Sequence, residues 1–93
     1  MNKKEKIKKM KHVRSLIDRI DDKILPLMIK RSLLVNKALE LKSKKNEVID
    51  KKRINQILKK IALRTKQLNA NPRLLKSIWL SMIQNFIEYE KKE

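Results

Sequence analysis

Arg31 and Lys42 stand where a helical pattern calls for apolar side chains. Starting from Met10, the residues Val13, Ile17, Ile20, Ile24, Leu27, Arg31, Val35, Ala38 and Lys42 follow one another in steps of three and four, the signature of one helix face. The spacing from Arg31 to Lys42 is close to three turns, so both cations point the same way with about 16 Å of rise between them. Two long cationic side chains so placed can converge on one small anion. The alternative is that they snorkel around a core edge or pair with acidic side chains. Arg14 lies about 25 Å before Arg31 along such a helix, too far to hold the same metabolite within one straight segment. Either Arg14 has no part in a site or it comes from another chain. Two long helices packed antiparallel about a two-fold near residue 25 bring the partner subunit's Arg14 between Arg31 and Lys42.

Any chemistry here must come from charges. The 93 residues contain no cysteine and one histidine, which excludes disulfide frameworks, zinc knuckles and thiol nucleophiles and leaves little for a transition metal. No cofactor and no metal are expected. With 26 Lys and Arg against 10 Asp and Glu the net charge is +16. The six lysines from Lys3 to Lys11 are read as a solvated face. The basic start is followed by no long apolar run, and the most apolar early stretch, Ile24 to Leu34, is broken by Lys30 and Arg31. Neither a signal peptide nor a membrane span is expected, and the expected location is the cytoplasm. A monomer this short buries only roughly 60% of its unfolded surface, so self-association is the default expectation for a single domain, 1–93.

The elements that carry these residues are expected to be helices alone. Glycine is absent and proline occurs twice, which removes the usual material for hairpins and phosphate-binding loops. The seam predicts one long helix over roughly residues 6–43, kinked but not broken at Pro26, with 1–9 as a frayed basic tail. The stretch Lys44-Lys45-Asn46-Glu47 carries no periodicity. Asp50 is then an N-cap for a second helix, about 50–68, with the face Ile54, Ile57, Leu58, Ile61, Ala62 and Leu68. Asn71 as N-cap and Pro72 at the first helical position start a third helix. Its stripe is Leu75, Ile78, Trp79, Met82, Ile83, Phe86 and Glu90. Trp79 and the methionines read as core or interface residues and His12 as solvated.

The string Val13-Arg14-Ser15-Leu16-Ile17-Asp18-Arg19-Ile20-Asp21, then Arg31, Lys42 and Asp50-Lys51-Lys52-Arg53, resembles the all-helical chorismate mutase family, chorismate mutase type II, over about Val13 to Glu90. The resemblance implies an all-α fold of three helices per chain in an intertwined antiparallel homodimer. It implies a chorismate mutase, which rearranges chorismate to prephenate in aromatic amino-acid biosynthesis. Arg31 and the partner subunit's Arg14 would bind the two carboxylates of the small dianionic substrate, for which bidentate guanidinium geometry is suited. Lys42 would lie against the ether oxygen, where negative charge grows. Arg53 would orient the site and Asp50 would contact the substrate hydroxyl. Val35, Ala38, Ile57 and Ile83 would wall the ring. Such a pericyclic rearrangement needs no covalent step, since holding the compact conformer and stabilising charge separation suffice.

Three positions depart from the family's pattern. Ile54 stands where mutases usually have a glutamate that holds the ring hydroxyl, Phe86 replaces a small hydroxyl residue, and Glu90 stands where bacterial mutases usually have glutamine. Ile54 with Phe86 is more similar to the isochorismate pyruvate-lyase branch, which releases pyruvate from isochorismate and leaves salicylate. Glu90 would face the ether oxygen across from Lys42. Burial among Phe86, Ile83 and Trp79 would favour its neutral form and the nearby cations its charged form. A mutase of a related chorismate derivative, a catalytically silent family member and a nucleic-acid-binding helical dimer are the other readings. Nucleic acid is disfavoured, because the lysines are scattered and one Trp, one Tyr and one Phe are available to stack on bases.

Overall fold

The computed structural model describes residues 1–41 and 50–92. Three helices occur there, α1 (Lys3–Glu40), α2 (Lys51–Gln67) and α3 (Pro72–Lys92), and no strand is present among the described residues. The chain divides into two compact units, Met1–Ala38 and Leu39–Glu93.

The first unit is built on α1. It begins at Lys3, earlier than the periodicity predicts, because Asn2 caps it: the Glu5 N–H donates to Asn2 Oδ1 at 2.9 Å. The segment expected as a frayed tail is thereby helical from Lys3. The N–H of Lys6 closes the first turn on the Asn2 carbonyl at 3.1 Å. Pro26 lies inside α1 without breaking it. The ring removes the N–H that would reach the Asp22 carbonyl, and Asp22 is exposed, so water can take that place. The expected end of this helix near residue 43 and the Lys44–Glu47 stretch lie outside the described residues.

α1 buries none of its residues. Ile17, Ile20, Ile24 and Leu27 of the seam are all about half exposed or more, Leu27 reaching 66%. Towards its end Met28, Arg31, Ser32, Val35 and Leu39 are half-buried.

The second unit is the α2–α3 hairpin. Asp50 caps α2 as expected: its side chain accepts the Arg53 N–H at 3.0 Å while its backbone is extended (φ −108, ψ 92). At the other end the chain reverses without glycine. Asn69 takes the left-handed conformation, φ 58, and the Asn69 and Ala70 N–H groups bond back to the carbonyls of Lys66 (3.1 Å) and Thr65 (3.0 Å). This pair of bonds is a Schellman closure, and asparagine is the non-glycine residue that best tolerates the conformation. Asn71 then caps α3, its Oδ1 accepting from the Arg73 and Leu74 N–H groups at 3.0 and 3.2 Å.

With four residues between them, α2 and α3 pack against each other as an antiparallel pair. Leu58 and Ile83 are buried at its centre. Ile54, Ile57, Ile61 and Ala62 from α2, and Leu75, Trp79, Met82, Phe86 and Ile87 from α3, are half-buried around them. Two positions of the expected faces are corrected. Leu68 is exposed because it is the C-cap of α2 and has left the helical path, and Ile78 is exposed because the packed side of α3 runs through Ile83 and Ile87, roughly 140° or more around the helix from it. Thr65 is buried, its hydroxyl satisfied by donating to the Ile61 carbonyl one turn back at 2.6 Å.

Candidate active site

Antiparallel packing about the Leu68–Asn71 turn fixes which residues of the hairpin share a level. Counting outward at about 1.5 Å per residue, Ile57 lies level with Ile83, Ile54 with Phe86, and Asp50 with Glu90. The five apolar and acidic members of this set that lie on the packed stripes, Ile54, Ile57, Ile83, Phe86 and Glu90, are buried or half-buried. The hairpin therefore gathers these expected site residues, with the exposed Asp50 and Arg53, from its centre to the end away from its turn.

Glu90 is the distinctive member. It is only 9% exposed, and its Oε1 is closed to solvent. A carboxyl group withdrawn from water is costly as an anion unless a cation or donors compensate it. Its position on the stripe, four residues after Phe86, follows from the helical repeat, so the burial is legible in the sequence; the chemistry is not.

The Asp50-x-x-Arg53 spacing has an immediate structural meaning. An N-cap side chain reaches the N–H three residues on, and Asp50 makes that bond to Arg53. This interaction uses the backbone of Arg53 and leaves its guanidinium exposed. One Asp50 oxygen is committed to the cap and the other is left for other work.

On α1, Arg31, Val35 and Ala38 follow at i, i+4 and i+7 and form one stripe, with Arg31 and Val35 half-buried and Ala38 exposed. Arg14 is exposed, about 25 Å back along the same helix and rotated by roughly 100° from Arg31. The two arginines cannot meet within one α1. Around Arg14 the helix surface forms an open concavity lined by Lys6, Met10, Lys11, Ser15 and Asp18. A single helix supplies one wall only. Lys42 lies outside the described residues, so its expected place beside the ether oxygen stands on the sequence alone.

Reasoning from the sequence missed Thr65 and the Asn69 reversal. A buried threonine whose hydroxyl bonds to its own helix carries no periodic signal, and the positive φ shows in sequence only as Asn in a chain that has no glycine.

Among the described residues no group of three or more His, Cys, Asp or Glu side chains could hold a metal ion, and no helix is long and apolar enough to cross a membrane. The family model described as chorismate mutase type II matches residues 13–91. Comparison with curated proteins returns no match.

Proposed function

Since the chain belongs to the chorismate mutase type II family, we propose that it converts chorismate to prephenate in a homodimer whose two sites each take Arg14 from the other chain. Family membership carries mutase-type activity, an isomerisation, and chorismate as substrate in general terms. The observation that carries the finer reading is the geometry of α1: two arginines on one helix, about 25 Å apart and on different faces, Arg31 in line with the apolar seam that α1 leaves exposed from Ile17 to Leu27 and Arg14 to one side of it.

A dianionic substrate needs two cationic clamps. Arg31 supplies one, and Arg14 of the partner subunit supplies the other once two seams pack antiparallel. Lys42 then faces the ether oxygen and stabilises the charge that builds there as the bond breaks. Glu90, in its protonated form, donates a hydrogen bond to the same oxygen, which an ionised carboxylate cannot do. Arg53 orients the site, Asp50 contacts the substrate hydroxyl with its free oxygen, and Val35, Ala38, Ile57 and Ile83 enclose the ring. The rearrangement proceeds because the reactive conformer is held and its developing charge matched, with no covalent intermediate.

One observation favours a second reading. Ile54 is half-buried at the level of Phe86, so this part of the hairpin offers hydrocarbon where a mutase would hold the ring hydroxyl. A site without that hydrogen bond loses discrimination for the hydroxyl's position, and isochorismate becomes a competing substrate from which pyruvate would be eliminated. Incubation of the purified protein with chorismate and, separately, with isochorismate distinguishes the two. Prephenate from chorismate is the expected product. Salicylate from isochorismate at the higher kcat/KM would assign the lyase reaction instead, and consumption of neither substrate would overturn both.

A further inference from the structure

The first turns of α1 carry a concentration of charge that the proposed reaction does not use. Lys3, Lys4, Lys6, Lys8, Lys9 and Lys11 fall within nine residues and are all exposed, with Glu5 the one acid among them. They precede Val13, where the family match begins. The apolar seam thins here: stepping back from Val13 through Met10, a step of three reaches Ile7, which has drifted roughly 60° further from the seam line, and a step of four reaches Lys6.

Asn2 makes the difference between a tail and a tool. Its cap on the Glu5 N–H holds these lysines on a helix from Lys3 onward. At about 100° per residue, Lys4, Lys8 and Lys11 form a stripe within a 60° arc, centred opposite the seam of Val13, Ile17, Ile20 and Ile24. Covering the seam with a second chain leaves that stripe open to solvent. Lys3 flanks it on one side and Lys9 lies on the other flank, while Lys6 stands at the back. Beyond Ser15 the same face carries Asp18 and Asp22 with Arg19 at its edge, so the unbroken run of cations ends there.

We infer that the capped Lys3–Lys11 segment of α1 is a docking surface for the phosphate backbone of a duplex nucleic acid, with the Lys4, Lys8 and Lys11 stripe at its centre. The scattering of lysines that argued against nucleic acid in the unfolded sequence has a different meaning on a rod. A helix fits the roughly 12 Å major groove of DNA, where phosphates of both strands flank it, so cations on several of its sides all find partners. A flat anionic lipid surface would require one broad apolar face, yet this nine-residue segment offers only Ile7 and Met10, and Lys6 stands on the seam line roughly 40° from Met10. The absence of aromatic residues from the segment limits it to backbone contacts without base stacking, hence to binding that is indifferent to sequence.

The test uses the full chain and a labelled duplex of about 20 base pairs with mixed sequence, titrated at several salt concentrations, and makes no use of turnover. Six phosphate contacts predict a slope of log K against log salt of about −5, a loss of about 10³-fold between 50 and 200 mM. The triple variant Lys4→Gln, Lys8→Gln, Lys11→Gln should lose about a hundredfold in affinity at 100 mM salt and shallow the slope by about 3, while keeping its helical circular dichroism, since glutamine is as good a helix former as lysine. Arginine at the same three positions should retain the binding. A control triple on α2, Lys59→Gln, Lys60→Gln, Lys66→Gln, removes the same charge from exposed sites elsewhere. Equal losses in the two glutamine triples would overturn the inference in favour of net charge alone. Failure of the parent protein to bind duplex would overturn it outright, and so would binding to vesicles containing phosphatidylglycerol with none to duplex.

Discussion

A carboxyl group at Glu90 sets the first expectation at the scale of single residues. In the proposed site it must be protonated to donate to the ether oxygen, so the parent's kcat should fall as pH rises through the Glu90 titration and recover on acidification. Glu90→Gln donates at every pH; its pH–rate profile should be flat and its rate near pH 7 equal to or above that of the parent. A folded Glu90→Gln that binds substrate and does not turn it over would mean that the carboxylate itself is needed. For Arg31 and Lys42, the expectation is separation of activity from stability. Either alanine variant should lose on the order of 10²- to 10³-fold in kcat/KM, the usual cost of removing one charge-stabilising donor, while keeping its helical circular dichroism. Marked destabilisation with residual turnover would return both cations to a purely structural role. Ile54→Glu addresses selectivity: with a partner for the ring hydroxyl restored, the preference for chorismate over isochorismate should rise by on the order of tenfold, read as the ratio of the two kcat/KM values.

Among the elements, α2 shows how one residue can serve two purposes that substitution can separate. Asp50 caps the helix through Oδ1, and capping by Asp or Asn is worth about 0.5–2 kcal/mol over alanine. Asp50→Asn should hold the thermal stability of the hairpin while reducing activity only if the carboxylate contacts substrate; Asp50→Ala should lower both. The Asp-x-x-Arg spacing, read from sequence as a functional motif, is also what an N-cap bonding three residues ahead requires. At the far end of α2, Asn69 at φ 58 makes a second case. Asn69→Gly should be neutral or slightly stabilising, and Asn69→Ala should cost about 1 kcal/mol because its Cβ crowds the carbonyl in the left-handed region. Chemical denaturation of the two variants reads the difference directly.

For the molecule as a whole, the exposed seam of α1 carries the main energetic consequence. Each large apolar side chain fully removed from water contributes about 1.5–3 kcal/mol. Ile17, Ile20, Ile24 and Leu27 remain about half exposed or more in the single chain, and the buried apolar residues of the hairpin are Leu58 and Ile83. In the proposed dimer the missing burial comes from the second seam, so dissociation and unfolding should coincide. The thermal midpoint should then rise with protein concentration, and sedimentation should find no folded monomer. A stable monomer at low concentration would remove the basis for Arg14 acting across the interface.

Three helices, the start of α2 at Asp50, the start of α3 at Pro72 and the match of Ile57 and Ile83 to packed positions were legible in the sequence, because each rests on local spacing. Apolar steps of three and four, a capping side chain one turn from its N–H and a proline at a first helical position are all decided within a few residues. The helical state of Lys3–Lys9 needed the structure, since a run of like charges disfavours a helix on its own and only the Asn2 cap and continuity with a long helix outweigh that cost. The exposure of Leu68 and Ile78 needed it too. Periodicity tells which residues share a face but not where a chain leaves its helix or which edge of a stripe a neighbouring helix covers. Which levels of the hairpin meet was likewise decided by tertiary structure: Ile54 and Phe86 are more than thirty residues apart in sequence, and only the four-residue reversal through Asn69 and the packing of α2 on α3 bring them level.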